Sequence, residues 1–244
     1  SFFVRQVARF SAWSPAERRV KVAADSLRRA GMEAFGRAGG DAAMRDWRAS
    51  LARCTGLSDS AGMAAALHNI GAGFYGAGAL DSAERYLERS RALAEGIGDH
   101  RTAGNAVGAL ATVRMERGDL RGAGELYARA ATLRERTGDS RGAASDQNNL
   151  GLISQTLGDW DGARRAFEGA LALNRHNGRD EPAATNLTNL GNIASLAGEY
   201  PEAAARYDEA LALYRTHGNR VDAALVLHNI GLLDLERGDY AAAL

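Results

Sequence analysis

The apolar residues of this chain fall into stripes with the 3.6-residue spacing of an amphipathic α-helix. Between residues 182 and 221 there are two such stripes, separated by the glycine at position 198. The first consists of Leu187, Leu190, Ile193 and Leu196, and the second of Ala203, Tyr207, Ala210 and Leu211. Pro182 and Pro201 stand where the two helices would begin, a place where the missing backbone N–H costs no hydrogen bond. This segment therefore predicts two helices joined by a tight turn.

The two-helix pattern recurs with a period of 40 residues, and four sets of residues mark it in phase. They are the glycines at 118, 158, 198 and 238, the Asn-Leu/Ile-Gly triplets starting at 69, 149, 189 and 229, the alanines at 83, 123, 163, 203 and 243, and the turn glycines at 98, 138, 178 and 218. We expect a helical lead-in over residues 1–20 and an array over 21–244. Its units are 21–60 (degenerate), 61–101, 102–141, 142–181, 182–221 and 222–244 (truncated).

The small and aromatic positions of these units resemble the tetratricopeptide repeat. The resemblance rests on Leu-Gly in the first helix (helix A) and on Ala, Tyr or Phe, and Ala in the second (helix B), as in Ala163, Phe167 and Ala170. The period of 40 instead of the usual 34, and Gly-Asp where a proline commonly closes helix B, mark a longer variety. It is similar to the repeats of cell-polarity adaptors, kinesin light chain and bacterial signalling proteins. The resemblance implies an all-α fold, a right-handed α-solenoid.

The two ends of the chain carry separate expectations. Ser14-Pro15-Ala16-Glu17 is a capping box, which predicts a helix that begins at Pro15 and continues into the first unit. Before it, Phe2, Phe3, Val7 and Phe10 share a helix face. We interpret them as the tail of an earlier element that packs on the array, the alternative being a membrane-surface helix. The sequence stops inside a helix B without a polar capping repeat, so we expect a piece of a longer protein.

Composition excludes several kinds of site. The 30 basic and 30 acidic residues cancel, so we expect no nucleic-acid partner. A single cysteine, Cys54, rules out a disulfide framework and a cysteine-rich zinc site, and is expected to be a small buried group. No apolar run is long enough for a membrane span, and we expect a cytoplasmic protein without a cofactor. Lys21 is the only lysine, and this arginine bias fits a GC-rich bacterial genome.

In the family that the chain resembles, helix A lines a concave groove. One helix A slot reads Asn69, Ala109, Asn149, Asn189 and Asn229 along the array. An amide offers both donors and an acceptor, so a ladder of this kind could hold an extended peptide backbone. The alternative is that the amides bond to neighbouring helices and hold the superhelix. The candidate partner-binding residues are Asn69, Asn149, Asn189, Asn229, His68, Asn148, Asn192, His228 and Asn105.

The same slots disfavour a carboxylate clamp, because they hold no lysine or arginine. No catalytic constellation stands out, so we expect no enzyme within this chain. The first hypothesis is an interaction scaffold that binds a peptide or a partner domain in the groove. The alternative is a regulatory sensor arm of a larger bacterial signalling ATPase, caspase-like protease or transcriptional regulator. The partner would then include other domains of the same longer chain.

Overall fold

The computed structural model describes residues 2–38 and 40–238. Within these ranges the chain is all-α, with twelve helices and no strand. They are α1 (Phe2–Ala12), α2 (Pro15–Ala38), α3 (Gly40–Gly56), α4 (Ser60–Gly76), α5 (Leu80–Ile97), α6 (His100–Glu116), α7 (Leu120–Arg136), α8 (Ser140–Thr156), α9 (Trp160–His176), α10 (Asp180–Leu196), α11 (Tyr200–Thr216) and α12 (Arg220–Glu236). The helix B predicted after Gly238, with Ala243 and Leu244, lies outside the described residues.

The helices pack as pairs in two compact units, residues 1–138 (the N-terminal unit) and residues 139–244 (the C-terminal unit). In the N-terminal unit the pairs are α2–α3, α4–α5 and α6–α7, and each pair packs on the next. In the C-terminal unit the pairs α8–α9 and α10–α11 pack on each other, and α12 packs on α11. The helices A of successive pairs are also in contact: α4 contacts α6, and α10 contacts α12. The predicted fold class, stacked helix–turn–helix repeats, is confirmed.

A glycine in helix A sets how closely the two helices of a pair approach. A Cβ added at Gly191 would lie 2.5 Å from the Tyr207 ring, and one at Gly151 would lie 2.6 Å from the Phe167 ring. Both aromatic side chains are buried. The glycine therefore makes room for the aromatic residue that fills the inside of the pair, as the sequence predicted for Gly191 and Tyr207.

The recurrent Gly-Asp turn ends one helix and starts the next. Gly158 has a φ of +79°, which favours glycine because it has no Cβ. The next residue, Asp159, accepts a hydrogen bond from the Gly162 backbone N–H at its Oδ1, 2.9 Å away. This bond satisfies a backbone donor in the first turn of α9 that has no partner inside the helix. The Gly158-Asp159 pair thus ends helix A with a stop signal and starts helix B with an N-cap.

The helix α2 begins at Pro15, where the capping box predicts it. The Ser14 backbone N–H donates to Glu17 Oε2 at 2.7 Å, and the Glu17 N–H donates to Ser14 Oγ at 3.2 Å. The helix is 24 residues long and serves as helix A of the first pair. Residues assigned to the lead-in and to the first unit therefore share one continuous helix.

The short helix α1 lies against the turns that follow α3 and α5. Arg5 Nη2 donates to the Ile97 carbonyl at 2.8 Å, and Arg9 Nη2 donates to the Ser58 carbonyl at 2.7 Å. Of its apolar side chains, Phe3 is 73% and Val7 66% exposed, whereas Phe2 is half-buried and lines a cavity with Asp99 and Thr137. α1 thus forms hydrogen bonds to the array through its arginines and leaves Phe3 and Val7 largely exposed. No helix in the described ranges is both long and apolar enough to cross a bilayer.

Candidate binding groove

Three candidate residues lie in the N-terminal unit, His68 and Asn69 on α4 and Asn105 on α6, and all three are half-buried. The His68 Nδ1 and Asn69 Nδ2 atoms are buried and have no hydrogen-bond partner among the described residues. Burial, with a smaller contribution from the positive charge of Arg134, lowers the pKa of His68 to about 4. The imidazole is therefore neutral at pH 7, and α4 presents two neighbouring polar side chains with unmet hydrogen-bonding capacity.

The C-terminal unit contains two adjoining cavities on its helix A side. The first, of about 320 Å³, is lined by Asn148 of α8, Asn186 of α10 and Asn174 of α9. The second, of about 280 Å³, is lined by Asn189, Asn192 and Asn229. Both cavities share the side chains of Thr185, Tyr214 and Asp222 as a common wall. We call the two cavities together the amide groove.

A chain of hydrogen bonds runs along the wall of the first cavity. Arg179 Nη1 donates to Asn174 Oδ1 at 3.3 Å, and Asn174 Nδ2 donates to Asn186 Oδ1 at 2.9 Å. Asn186 Nδ2 then donates to Asn148 Oδ1, again at 2.9 Å. Asn186 is only 1% and Asn174 only 3% exposed, so these amides form hydrogen bonds with each other instead of with water. The chain joins α9, α10 and α8, and ends in a half-buried amide at the cavity surface.

In the second cavity, part of the candidate ladder bonds within the protein. Asn192 Oδ1 accepts from Tyr207 Oη at 2.8 Å and from Asn229 Nδ2 at 3.1 Å. Burial, together with the charge of Glu236, raises the pKa of Tyr207 to about 12, so the phenol keeps the proton that it donates. These bonds tie α10 to α11 and α12. They leave Asn192 Nδ2 and Asn229 Oδ1 without a partner among the described residues.

The common wall of the groove combines hydroxyl groups with carboxylates. Thr185 Oγ1 donates to the Glu181 carbonyl at 3.2 Å and lies 3.0 Å from Tyr214 Oη. The two hydroxyl groups share one hydrogen bond, in which either oxygen can be the donor. Glu181 and Asp222 line the first cavity together with a single guanidinium, that of Arg179. Ligands with a neutral or positive surface fit this balance better than acidic ones.

The remaining candidates of the C-terminal unit do not line the groove. Asn149 is half-buried on α8 and lines neither cavity, and His228 is exposed on α12. The sequence missed Arg179, Asn174 and Asn186. A signal was present, because the slot of Asn186 reads Ala66, Ala106, Asp146, Asn186 and Val226 at the 40-residue period. A buried amide in a slot that is mostly apolar needs a polar partner nearby.

Stacked helix pairs with a polar groove on the helix A side define the class of helical-repeat proteins. The family model described as "Tetratricopeptide repeat" matches residues 102–176 and 181–244, more than half of the sequence. The chain therefore belongs to the tetratricopeptide repeat family. Comparison with curated protein sequences gives no significant match.

Solved structures with a similar fold have low sequence identity to this chain. The apo form of RapI is 13% identical with a TM-score of 0.73, and the match covers 86% of this chain and 77% of the RapI chain. The repeats of a kinesin light chain candidate from Podosopora anserina are 17% identical with a TM-score of 0.61, and the match covers 85% of this chain and 100% of theirs. A signal transduction ATPase from Pyrococcus horikoshii with a tetratricopeptide repeat sensor is 13% identical with a TM-score of 0.68, and the match covers 86% of this chain and 32% of the ATPase chain.

Proposed function

We propose that the chain is an interaction module that binds an extended peptide, or an extended segment of a partner protein, in the amide groove. The observation that carries this proposal is the pair of adjoining cavities, whose walls offer amide donors and acceptors from α8, α10 and α12. An extended backbone exposes N–H and C=O groups along its edges, and amides can serve both. Recognition of the backbone explains why few charged side chains are needed.

The composition of the groove limits the partner further. Glu181 and Asp222 outnumber Arg179 along the first cavity. A segment rich in aspartate or glutamate, or a free C-terminal carboxylate, would meet like charges there. We therefore expect a neutral or basic segment with small or polar side chains, bound without a cofactor and without chemical change.

The candidates outside the amide groove belong to the same proposal. In the N-terminal unit, His68, Asn69 and Asn105 would form a contact surface of their own, because two of them carry buried polar atoms with no partner among the described residues. In the C-terminal unit, Asn149 and His228 would contact only a ligand that extends beyond the two cavities, since they line neither.

The test compares amide substitutions inside and outside the groove. The probe is a peptide selected from a randomised nine-residue display library on the unaltered chain. The combined change Asn148→Ala, Asn189→Ala and Asn229→Ala should weaken its binding roughly 30-fold or more, about 2 kcal/mol, from three lost amide contacts. Asn177→Ala is the matched control, because this amide is exposed and lines neither cavity. Equal affinity of the triple variant and the control, with both chains folded, would refute groove binding.

The second candidate function is a sensor arm that transmits partner binding to a catalytic domain elsewhere in a longer protein. It is supported by the likeness to the repeat-bearing ATPase from Pyrococcus horikoshii, in whose structure the match covers 32% of the chain. The binding surface would be the same, and only the connectivity differs. Sequencing the gene on both sides separates the two, because a neighbouring nucleotide-binding or protease domain is required by the second alone.

A further inference from the structure

The hydrogen-bond chain Arg179–Asn174–Asn186–Asn148 has a direction that the chemistry of its first member fixes. A guanidinium has only donors, so the atom of Asn174 that faces Arg179 must be its carbonyl oxygen. The Asn174 NH₂ group then faces Asn186 and requires an oxygen there. The same reasoning at the next bond directs the Asn186 NH₂ group at Asn148 Oδ1. Rotating any one of these side-chain amides by 180° would place two donors, or two acceptors, against each other.

Burial makes this direction costly to reverse. Asn174 and Asn186 are almost fully buried, so water cannot repair a mismatched bond. The positive charge at Arg179 also polarises the amides in the same sense, since hydrogen bonds in a chain strengthen one another. The terminal amide, Asn148, has its oxygen committed to Asn186, and its NH₂ group bonds to no described residue. That group is on the wall of the first cavity.

We infer that Asn148 acts in the amide groove as an obligate hydrogen-bond donor, and that the first cavity therefore takes a neutral carbonyl oxygen of the peptide. This inference rests on the proposed function. It adds which group of the ligand binds in the first cavity. A carboxylate oxygen would also accept from Asn148, but Glu181 and Asp222 line the same cavity and disfavour it. Arg179, Asn174 and Asn186 act through Asn148 and are positioning residues.

The substitution Asn186→Asp tests the direction, because a carboxylate in that place can only accept. It would accept from Asn174 Nδ2 as before, but it would also require the NH₂ group of Asn148. Asn148 would then turn and present its oxygen to the cavity. The chain tolerates such a residue, since Asp146 occupies the equivalent slot 40 positions earlier and is only 3% exposed.

The first measurement needs no ligand. In the unaltered chain, through-hydrogen-bond NMR coupling should join the Asn186 side-chain nitrogen to the Asn148 Cγ carbon. In Asn186→Asp it should join the Asn148 side-chain nitrogen to the carboxyl carbon at position 186. A coupling from Asn148 nitrogen to Asn186 Cγ in the unaltered chain would overturn the inference.

The second measurement uses the library-selected peptide and calorimetric titration. Asn186→Asp should weaken binding about tenfold or more, as Asn148→Ala does. The buried carboxylate should lower the thermal unfolding temperature of Asn186→Asp, so both variants are titrated well below their unfolding temperatures. If Asn148→Ala weakens binding and Asn186→Asp does not, the groove binds the peptide but the donor inference is wrong. If neither these variants nor the triple variant of the groove weakens binding, both the inference and the proposed function fail.

Discussion

The carbonyl oxygen of Asn192 shows how one residue can serve both hypotheses for the asparagine ladder. It accepts from Tyr207 and Asn229, which holds three helices together. Eighty positions earlier, Thr112 and Tyr127 occupy the same two slots, and their hydroxyl oxygens are 2.9 Å apart. The bond to the helix B tyrosine therefore recurs and belongs to the packing of the pair. Only the NH₂ group of Asn192 is available for a ligand.

The pKa of His68 yields a prediction at the same scale. Its folded pKa of about 4 lies below its ordinary value of 6.5. Above pH 6.5 His68 is neutral in both the folded and the unfolded chain, and its contribution to stability is complete. As the pH falls from 6.5 towards 4, the histidine of the unfolded chain binds a proton while that of the folded chain stays neutral, so the folded state loses stability. Relative to His68→Gln, the free energy of unfolding of the unaltered chain should fall by about 2.5 kcal/mol between pH 7 and pH 4.5.

Urea unfolding of both chains at the two pH values checks this prediction. Subtracting the variant removes the contribution of all other titrating groups, which the two chains share. Unfolding free energies that change in parallel would mean that His68 titrates normally and that its Nδ1 atom is not isolated in the folded chain.

At the scale of helices, the repeat predicted much of the fold, and contacts between helices decided the exceptions. The period placed the helix pairs, the Gly-Asp turns and the contact of Gly191 with Tyr207, because each depends on residues close in sequence. Asp59 shares the slot of Asp99 and should cap α4, yet it makes no cap bond. Its carboxylate lies 3.1 Å from Lys21 Nζ of α2, a partner that the repeat pattern does not contain.

The amide groove was predictable to the same extent. Asn148, Asn189, Asn192 and Asn229 follow from the face of helix A that the family leaves open. The hydrogen-bond chain did not follow, because Arg179 and Asn174 come from a turn and from helix B. The hydrogen bond between Asn174 and Asn186 depends on how α9 packs against α10, which no single-helix pattern encodes.

The N-cap slot gives a prediction for single elements. Ala79 precedes α5 with φ −85° and ψ 68°, close to the −78° and 71° of Asp119 before α7. Asp119 accepts from the Gly122 N–H, whereas Ala79 has no side-chain acceptor. Ala79→Asp should therefore stabilise the chain by about 1 kcal/mol, and Asp119→Ala should destabilise it by a similar amount.

Thermal unfolding of the two variants checks the cap prediction. Ala77→Asp is the control, because it adds the same charge at the C-terminal end of α4, where a carboxylate is unfavourable. A gain from Ala77→Asp equal to that from Ala79→Asp would show that the added charge, and not the cap, is responsible.

At the scale of the molecule, the balance of charge reflects pairing between successive helices B. Arg129 Nη2 lies 2.6 Å from Glu95 Oε1 in the N-terminal unit, and Arg164 Nη2 lies 2.5 Å from Glu199 Oε2 in the C-terminal unit. Both pairs are partly exposed, so each contributes at most about 1 kcal/mol. They nevertheless account for arginines that the sequence alone left without a role.

The contact of α1 with two successive repeats gives the last prediction. Arg9 bonds the turn after α3 and Arg5 the turn after α5, 39 residues further along the chain, while none of the side chains of α1 is buried. The two arginines should therefore carry most of the attachment. The double change Arg5→Gln and Arg9→Gln should speed amide hydrogen exchange in α1 at least fivefold and leave α4 to α7 protected, because their packing does not involve α1. Arg19→Gln and Arg29→Gln, on exposed positions of α2, form the matched control. If exchange in α1 is equally slow in both double variants, the helix is held by Phe2 and Phe3, which line a cavity with Thr137, and not by the arginines.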